Sequence, residues 1–230
     1  MTEPRTFVIG DIHGRIEALR EVLSLSGYAD GLDRLILLGD VCDRGLNTRQ
    51  VLDLLITLKD PVLIKGNHDI WALKWMEEGV EPDKWLENGG VATIESYGCC
   101  HLNVPSSHIE FLKKGIPYYE EKDCLFVHGG FDPEKPVKEQ DEDVLTWDRD
   151  LPSYAQKQLI PNYKKVFIGH TSTEIVTGKL KPAFFRNLVM ADCGTGYCGR
   201  LCMMNTEDLS YVLSLIQVSP QKLRSQRRKK

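Results

Sequence analysis

The sequence contains no run of eighteen or more apolar residues, so it lacks an ordinary membrane-spanning helix. Its first six residues run straight into a strand-like segment, without the apolar stretch of a signal peptide. A cytoplasmic location and no membrane partner are the expectation. The cysteines are odd in number. The seven residues are scattered, and none shows the paired CxxC spacing of a zinc knot. They are expected to be reduced thiols used in packing. Internal repeats, low-complexity tracts and interdomain linkers are absent, and 230 residues can bury one substantial core. Excess positive charge is also missing. The net charge is −4, but six Lys and Arg fall within residues 222–230, which leaves −10 on the rest. That argues against a face for a nucleic-acid polymer. The expectation is a monomer with one domain over 1–221 and a basic, disordered tail over 222–230.

What is present begins with Gly39-Asp40-Val41-Cys42-Asp43-Arg44-Gly45. It follows Leu35-Ile36-Leu37-Leu38, a continuous apolar run that reads as a buried parallel strand. Desolvating two carboxylates and a guanidinium at the mouth of such a strand costs several kcal/mol unless something pairs with them. In α/β sheets that end of a strand is where ligands bind. The same design occurs twice more. Phe7-Val8-Ile9-Gly10 leads into Asp11-Ile12-His13-Gly14, and residues 61–65 lead into Gly66-Asn67-His68-Asp69. Amphipathic spacing predicts helices over about 15–25 and 47–58 after the first two units.

Residues 70–119 read as a helical insertion. Trp71, Trp75 and Trp85 there are read as core, and His101 and His108 as surface or capping residues. The second half turns β-rich. Leu125-Phe126-Val127 delivers His128 into a glycine turn, and Val166-Phe167-Ile168-Gly169 delivers His170. Further runs near 184–191, 201–204 and 211–216 read as antiparallel strands. The predicted fold class is α/β: two sheets packed as a sandwich with helices outside, four layers in the order α/β/β/α.

Collected, Asp11, His13, Asp40, Asn67, His128 and His170 form an oxygen and nitrogen donor set without thiolate. Such a set suits two divalent cations, manganese first, with iron or zinc as the other options. Asp40 is the natural bridge between them, and a water between two such ions loses a proton near neutral pH and attacks phosphorus in line. Arg44 and Arg149 offer planar forks for phosphate oxygens. His68 and Asp43 are the candidate catalytic pair, with Asp43 supporting an imidazolium that protonates the leaving oxygen. The same two residues could instead only orient the site.

These five motifs, in this order over nearly the whole chain, resemble the calcineurin-like metallophosphoesterases, and more narrowly the small serine/threonine phosphoprotein phosphatases of bacteria and phage lambda. The resemblance implies a dinuclear centre of the manganese type and direct hydrolysis of phosphomonoesters. It places Asp11, His13 and Asp40 on one ion, and Asp40, Asn67, His128 and His170 on the other. It also places Arg44, Arg149 and His68 at phosphate-binding and acid positions. A phosphorylated protein or small phosphoester is then the expected substrate. Asn88-Gly89-Gly90 followed by residues 93–97 also resembles the insertion of symmetrical diadenosine tetraphosphatases, which supplies the alternative activity. An inactive metal-binding scaffold is the remote third reading.

Overall fold

The computed structural model describes residues 4–197 and 200–215. The basic tail therefore lies outside the described residues, as do Cys198 and the end of the last expected strand.

Ten strands are found among the described residues: β1 (Thr6–Ile9), β2 (Arg34–Leu37), β3 (Val62–Leu63), β4 (Tyr118–Glu121), β5 (Cys124–Val127), β6 (Lys165–Ile168), β7 (Ala183–Phe185), β8 (Leu188–Met190), β9 (Cys202–Asn205) and β10 (Tyr211–Leu213). They form two five-stranded sheets, β10-β9-β1-β2-β3 and β4-β5-β6-β8-β7. Within the first, β1, β2 and β3 are parallel. Within the second, β5, β6 and β8 are parallel.

Alternation along the strands builds the layers. Val8, Ile36, Phe126, Phe167 and Val189 point into the space between the sheets, where Phe126 stacks on Phe167 at 4.9 Å. Their neighbours Phe7, Ile9, Leu35 and Leu37 face outward into a core shared with helices α1 (Ile16–Leu25) and α2 (Thr48–Leu55). On the other sheet Leu125, Val127, Val166 and Ile168 face outward beside Leu145 and Leu151. Each such side chain contributes about 1.5–3 kcal/mol on burial. The expected sandwich with helices on both outer faces is what forms.

Between β3 and β4 lie α3 (Asn67–Glu78), α4 (Asp83–Trp85), α5 (Val91–Ser96) and α6 (Ser106–Lys113). The second sheet is backed by α7 (Glu142–Trp147) and α8 (Leu151–Lys157), and a short α9 (Thr173–Thr177) follows β6. None of the helices is long and apolar enough to cross a membrane among the described residues. No disulfide forms among the described cysteines.

Several local expectations change. The third strand is shorter than expected, pairing with β2 at Val62 and Leu63, and Ile64 just beyond it donates to Leu37 O while also bridging Ile116. β8 is antiparallel to β7 but parallel to β6. The chain returns to the first sheet at its end, where β9 pairs antiparallel with β1 and β10 with β9. His108 is fully buried rather than a surface or capping residue, held between Tyr97 and Asp53.

Candidate active site

Parallel strands from both sheets end at one place. The loop after β1 carries Asp11 and His13, and the loop after β2 carries Asp40, Asp43 and Arg44. The start of α3 carries Asn67 and His68, while His128 and His170 follow β5 and β6. The turn after β2 depends on Gly39, whose φ of +94° suits glycine. A Cβ there would meet Gly66 N at 2.6 Å and His128 Nδ1 at 2.8 Å. Five of the candidate residues also sit in left-handed backbone: His13, Asp40, Asp43, Arg44 and His170, with φ of 48°, 49°, 70°, 63° and 58°. Such a conformation costs about 1–3 kcal/mol for each residue and persists only where the surroundings impose it.

Asp40 lies at the centre. Its Oδ2 is 3.6 Å from His13 Nε2 and 4.0 Å from His68 Nε2, and its Oδ1 is 3.3 Å from His128 Nε2. Its donor atoms complete two possible metal-holding trios, one with His13 and His68, the other with His128 and His170. Asp11 stands 3.8 Å from His13 and accepts the His170 amide at 3.1 Å. The Asn67 carbonyl is 3.2 Å from His128 Nε2. The imidazoles of His13, His128 and His170 therefore share one neighbourhood. His68 joins the first trio in space, although the sequence reading kept it off the ligand set.

The electrostatics follow from burial. Desolvation would lift the Asp40 carboxyl, but His128 and His68 beside it hold it well below the usual carboxylate range. Burial opposes a charge on His128, yet Asp40 outweighs it and raises that imidazole to about 9. The carboxylate thus draws positive charge to this spot, a demand that a divalent cation would also answer. Burial, with His128 close by, drives His170 down to about 2. Burial and then the Arg44 guanidinium push His13 well down. Burial, with Asp192 next, pushes Asp11 well up.

The donor set fits cations on structural grounds. His170 Nε2 is buried without a hydrogen-bond partner, a costly arrangement for a ring nitrogen that has nothing to bind. His13 Nδ1 donates to Cys42 O at 2.9 Å and His128 Nδ1 donates to Leu38 O at 2.6 Å, so both rings turn Nε2 toward Asp40. Backbone carbonyls fixing the far nitrogen in this way are usual behind metal-binding imidazoles.

Around this cluster, His68 Nδ1 is 2.7 Å from Asp43 Oδ2. Arg44 donates through Nη1 to His13 Nε2 at 3.0 Å and through Nη2 to His68 Nε2 at 3.1 Å. Its guanidinium also lies 4.5 Å from the Tyr197 ring centroid. Arg149 donates to His170 O and Thr171 Oγ1, at 3.3 and 3.2 Å, which places it on the rim beside His170. All ten residues singled out in the sequence converge.

Four further residues were missed. Asp69 accepts the amides of Val41 and Gly66 at 2.9 and 3.2 Å, fastening the Asp40 loop to the start of α3. Its position three residues into a helix is a capping-box signal that could have identified it. Trp85 and Thr93 each donate to Asp43 at 2.7 Å. Asp192, buried at the end of β8, accepts the Gly194 amide at 2.8 Å and lay unnoticed in a glycine-rich turn.

The model of the calcineurin-like phosphoesterase family matches residues 4–191. The chain belongs to that family. Among its relatives, a symmetrical bis(5'-nucleosyl)-tetraphosphatase of Coxiella burnetii is 31% identical over 136 residues, 58% of this chain and 44% of the relative. Serine/threonine-protein phosphatase 2 of Escherichia coli is 38% identical over 86 residues, 36% of this chain and 38% of the relative. The chain thus spans less than half the length of either relative. A solved structure provisionally described as a diadenosine tetraphosphatase superposes with a TM-score of 0.72 at 19% identity, covering 95% of both chains, which supports the fold. The more extensive relative carries the name of the alternative activity, not of the phosphoprotein phosphatase expected first.

Proposed function

We propose that this phosphoesterase hydrolyses dinucleoside polyphosphates, cutting a symmetrical tetraphosphate into two nucleoside diphosphates. The observation that carries the reading is the join between the insertion and the site. Gly89 O accepts the Arg44 amide at 3.0 Å, and Thr93 donates to Asp43. The segment that resembles the tetraphosphatase insertion is thus the one that holds the candidate acid pair and phosphate fork. The better-covered named relative points the same way.

In this proposal Asp11, His13, Asp40, Asn67, His128 and His170 hold two divalent cations, manganese first for a donor set without thiolate. Bound there, the ions would activate water near neutral pH and neutralise phosphoryl oxygens. The protein's own part is positioning and proton delivery. Arg44 and Arg149 grip oxygens of the phosphate under attack. Moving onto phosphate takes the Arg44 guanidinium off His68 Nε2 and frees that nitrogen to carry a proton. Asp43 holds the opposite nitrogen, so the ring faces the leaving oxygen with its charge stabilised. As the new bond from water oxygen to phosphorus forms, the bond to the bridging oxygen breaks, and that oxygen takes the proton. The whole apparatus is proposed to sit in one domain, with residues 70–119 as its insertion.

Product analysis with added manganese tests this. Diadenosine tetraphosphate is expected to yield adenosine diphosphate alone. Release of phosphate from phosphoserine or phosphothreonine peptides with no attack on the tetraphosphate would overturn the reading in favour of a protein phosphatase, the activity of the Escherichia coli relative.

A further inference from the structure

The four tryptophans divide into two kinds. Trp75 and Trp85 are core residues, 1% and 0% exposed. Trp71 and Trp147 are only half-buried, and they meet although they come from α3 and the end of α7. Their ring centroids are 5.1 Å apart at 69°. Trp71 stands edge-on to His68 at 5.3 Å, and Trp147 stands edge-on to His170 at 5.8 Å. The two indoles therefore make a continuous wall that touches an imidazole from each trio. Core packing needs no such position, because a fully apolar neighbour would serve as well. The reading of Trp71 as core holds only for the part of its ring turned to the first sheet's helices.

Above this wall lies Lys84. Its ammonium is 4.6 Å from the Trp147 centroid and 5.8 Å from the Trp71 centroid. The residue is exposed and has no carboxylate partner among the described residues. An ammonium over indole faces is held by only about 0.5–1 kcal/mol at an exposed site, so it is available to a stronger anion.

We propose that Trp71, Trp147 and Lys84 form a subsite for a nucleoside diphosphate, the half of the substrate that departs. This deepens the proposed function and rests on it. The candidate cations and the two arginines serve the phosphate under attack. The departing half carries two more phosphate groups and a planar base, and it must pass His68 to receive its proton. The wall borders His68. Its indoles offer a stacking face worth about 1–3 kcal/mol for a base. Lys84 offers a point charge for the departing phosphates. A phosphoprotein has no use for the combination, since a serine or threonine side chain brings neither a ring nor a second phosphate.

Equilibrium binding of adenosine diphosphate, pyrophosphate and orthophosphate to the full chain, followed by tryptophan fluorescence, tests the subsite. Lys84→Gln, at an exposed position, is expected to weaken adenosine diphosphate and pyrophosphate about tenfold and orthophosphate less than twofold. Trp147→Leu is expected to weaken adenosine diphosphate but not pyrophosphate. The KM for diadenosine tetraphosphate rises with the diphosphate Kd. Unchanged adenosine diphosphate binding in Lys84→Gln, or an equal loss for all three ligands, overturns the subsite even if the wild type cleaves the tetraphosphate. If the wild type binds the diphosphate through Lys84 yet cleaves only phosphopeptides, the subsite stands and the proposed function falls.

Discussion

His68 Nδ1 and Asp43 Oδ2 are 2.7 Å apart, and both side chains are closed off from solvent. The contact fixes which imidazole nitrogen faces the cluster around Asp40. If that nitrogen delivers the proton, His68→Asn lowers kcat by about 10²–10⁴, the span of a general acid. Bound metal, counted by elemental analysis, stays at two equivalents. Loss of one equivalent would instead make His68 a ligand, which its place in a trio with His13 and Asp40 allows.

Asp43 is itself held from the insertion, since Trp85 Nε1 and Thr93 Oγ1 donate to its two oxygens. Trp85→Phe removes a donor and leaves most of the ring's packing. A buried carboxylate short of one hydrogen bond costs about 1–3 kcal/mol, visible as a lower melting temperature. As a positioning residue, Trp85 should also lower kcat several-fold with KM little changed. A fall in melting temperature with kcat intact would leave Trp85 a structural residue only.

Asp40 belongs to both trios, and no other carboxylate among the described residues does. Asp40→Asn keeps the shape but removes the charge that draws cations to His13 and His128. Titration with manganese is expected to show both sites weakened together. One site retained at full affinity would remove Asp40 from the bridging position.

The cluster was legible because its residues sit in short loops after continuous apolar strands, so Leu35 to Leu38 and Val166 to Ile168 each point at their polar tips. Period-two alternation then assigns Val8 and Ile36 to one side and Phe7 and Leu35 to the other. What stayed hidden depends on partners far away in the chain. Nothing local says that β9 pairs with β1, and no spacing ties Trp71 to Trp147 or Trp85 to Asp43. Asp69 and Asp192 were overlooked for a related reason: each is a lone acid whose use is to fasten backbone amides of a turn.

His108 shows the same blindness and yields a pH effect away from the candidate centre. It is buried between Tyr97, whose hydroxyl lies 2.8 Å from Nδ1, and Asp53, 3.0 Å from Nε2. Burial pushes this imidazole below its ordinary value, and Asp53 only partly opposes the shift. A neutral ring satisfies both contacts, with Nε2–H donating to Asp53 and Nδ1 accepting from Tyr97. Below about pH 6.5 the unfolded chain takes up a proton here that the folded chain refuses. The stabilisation is therefore complete above that pH and is lost as pH falls toward the lowered folded value, at most about 1.4 kcal/mol per pH unit. Thermal unfolding from pH 7 to pH 5 should fall less steeply in His108→Gln than in the wild type. Equal slopes would mean that His108 keeps its ordinary affinity for a proton in the folded chain, and the buried neutral ring would have to be given up.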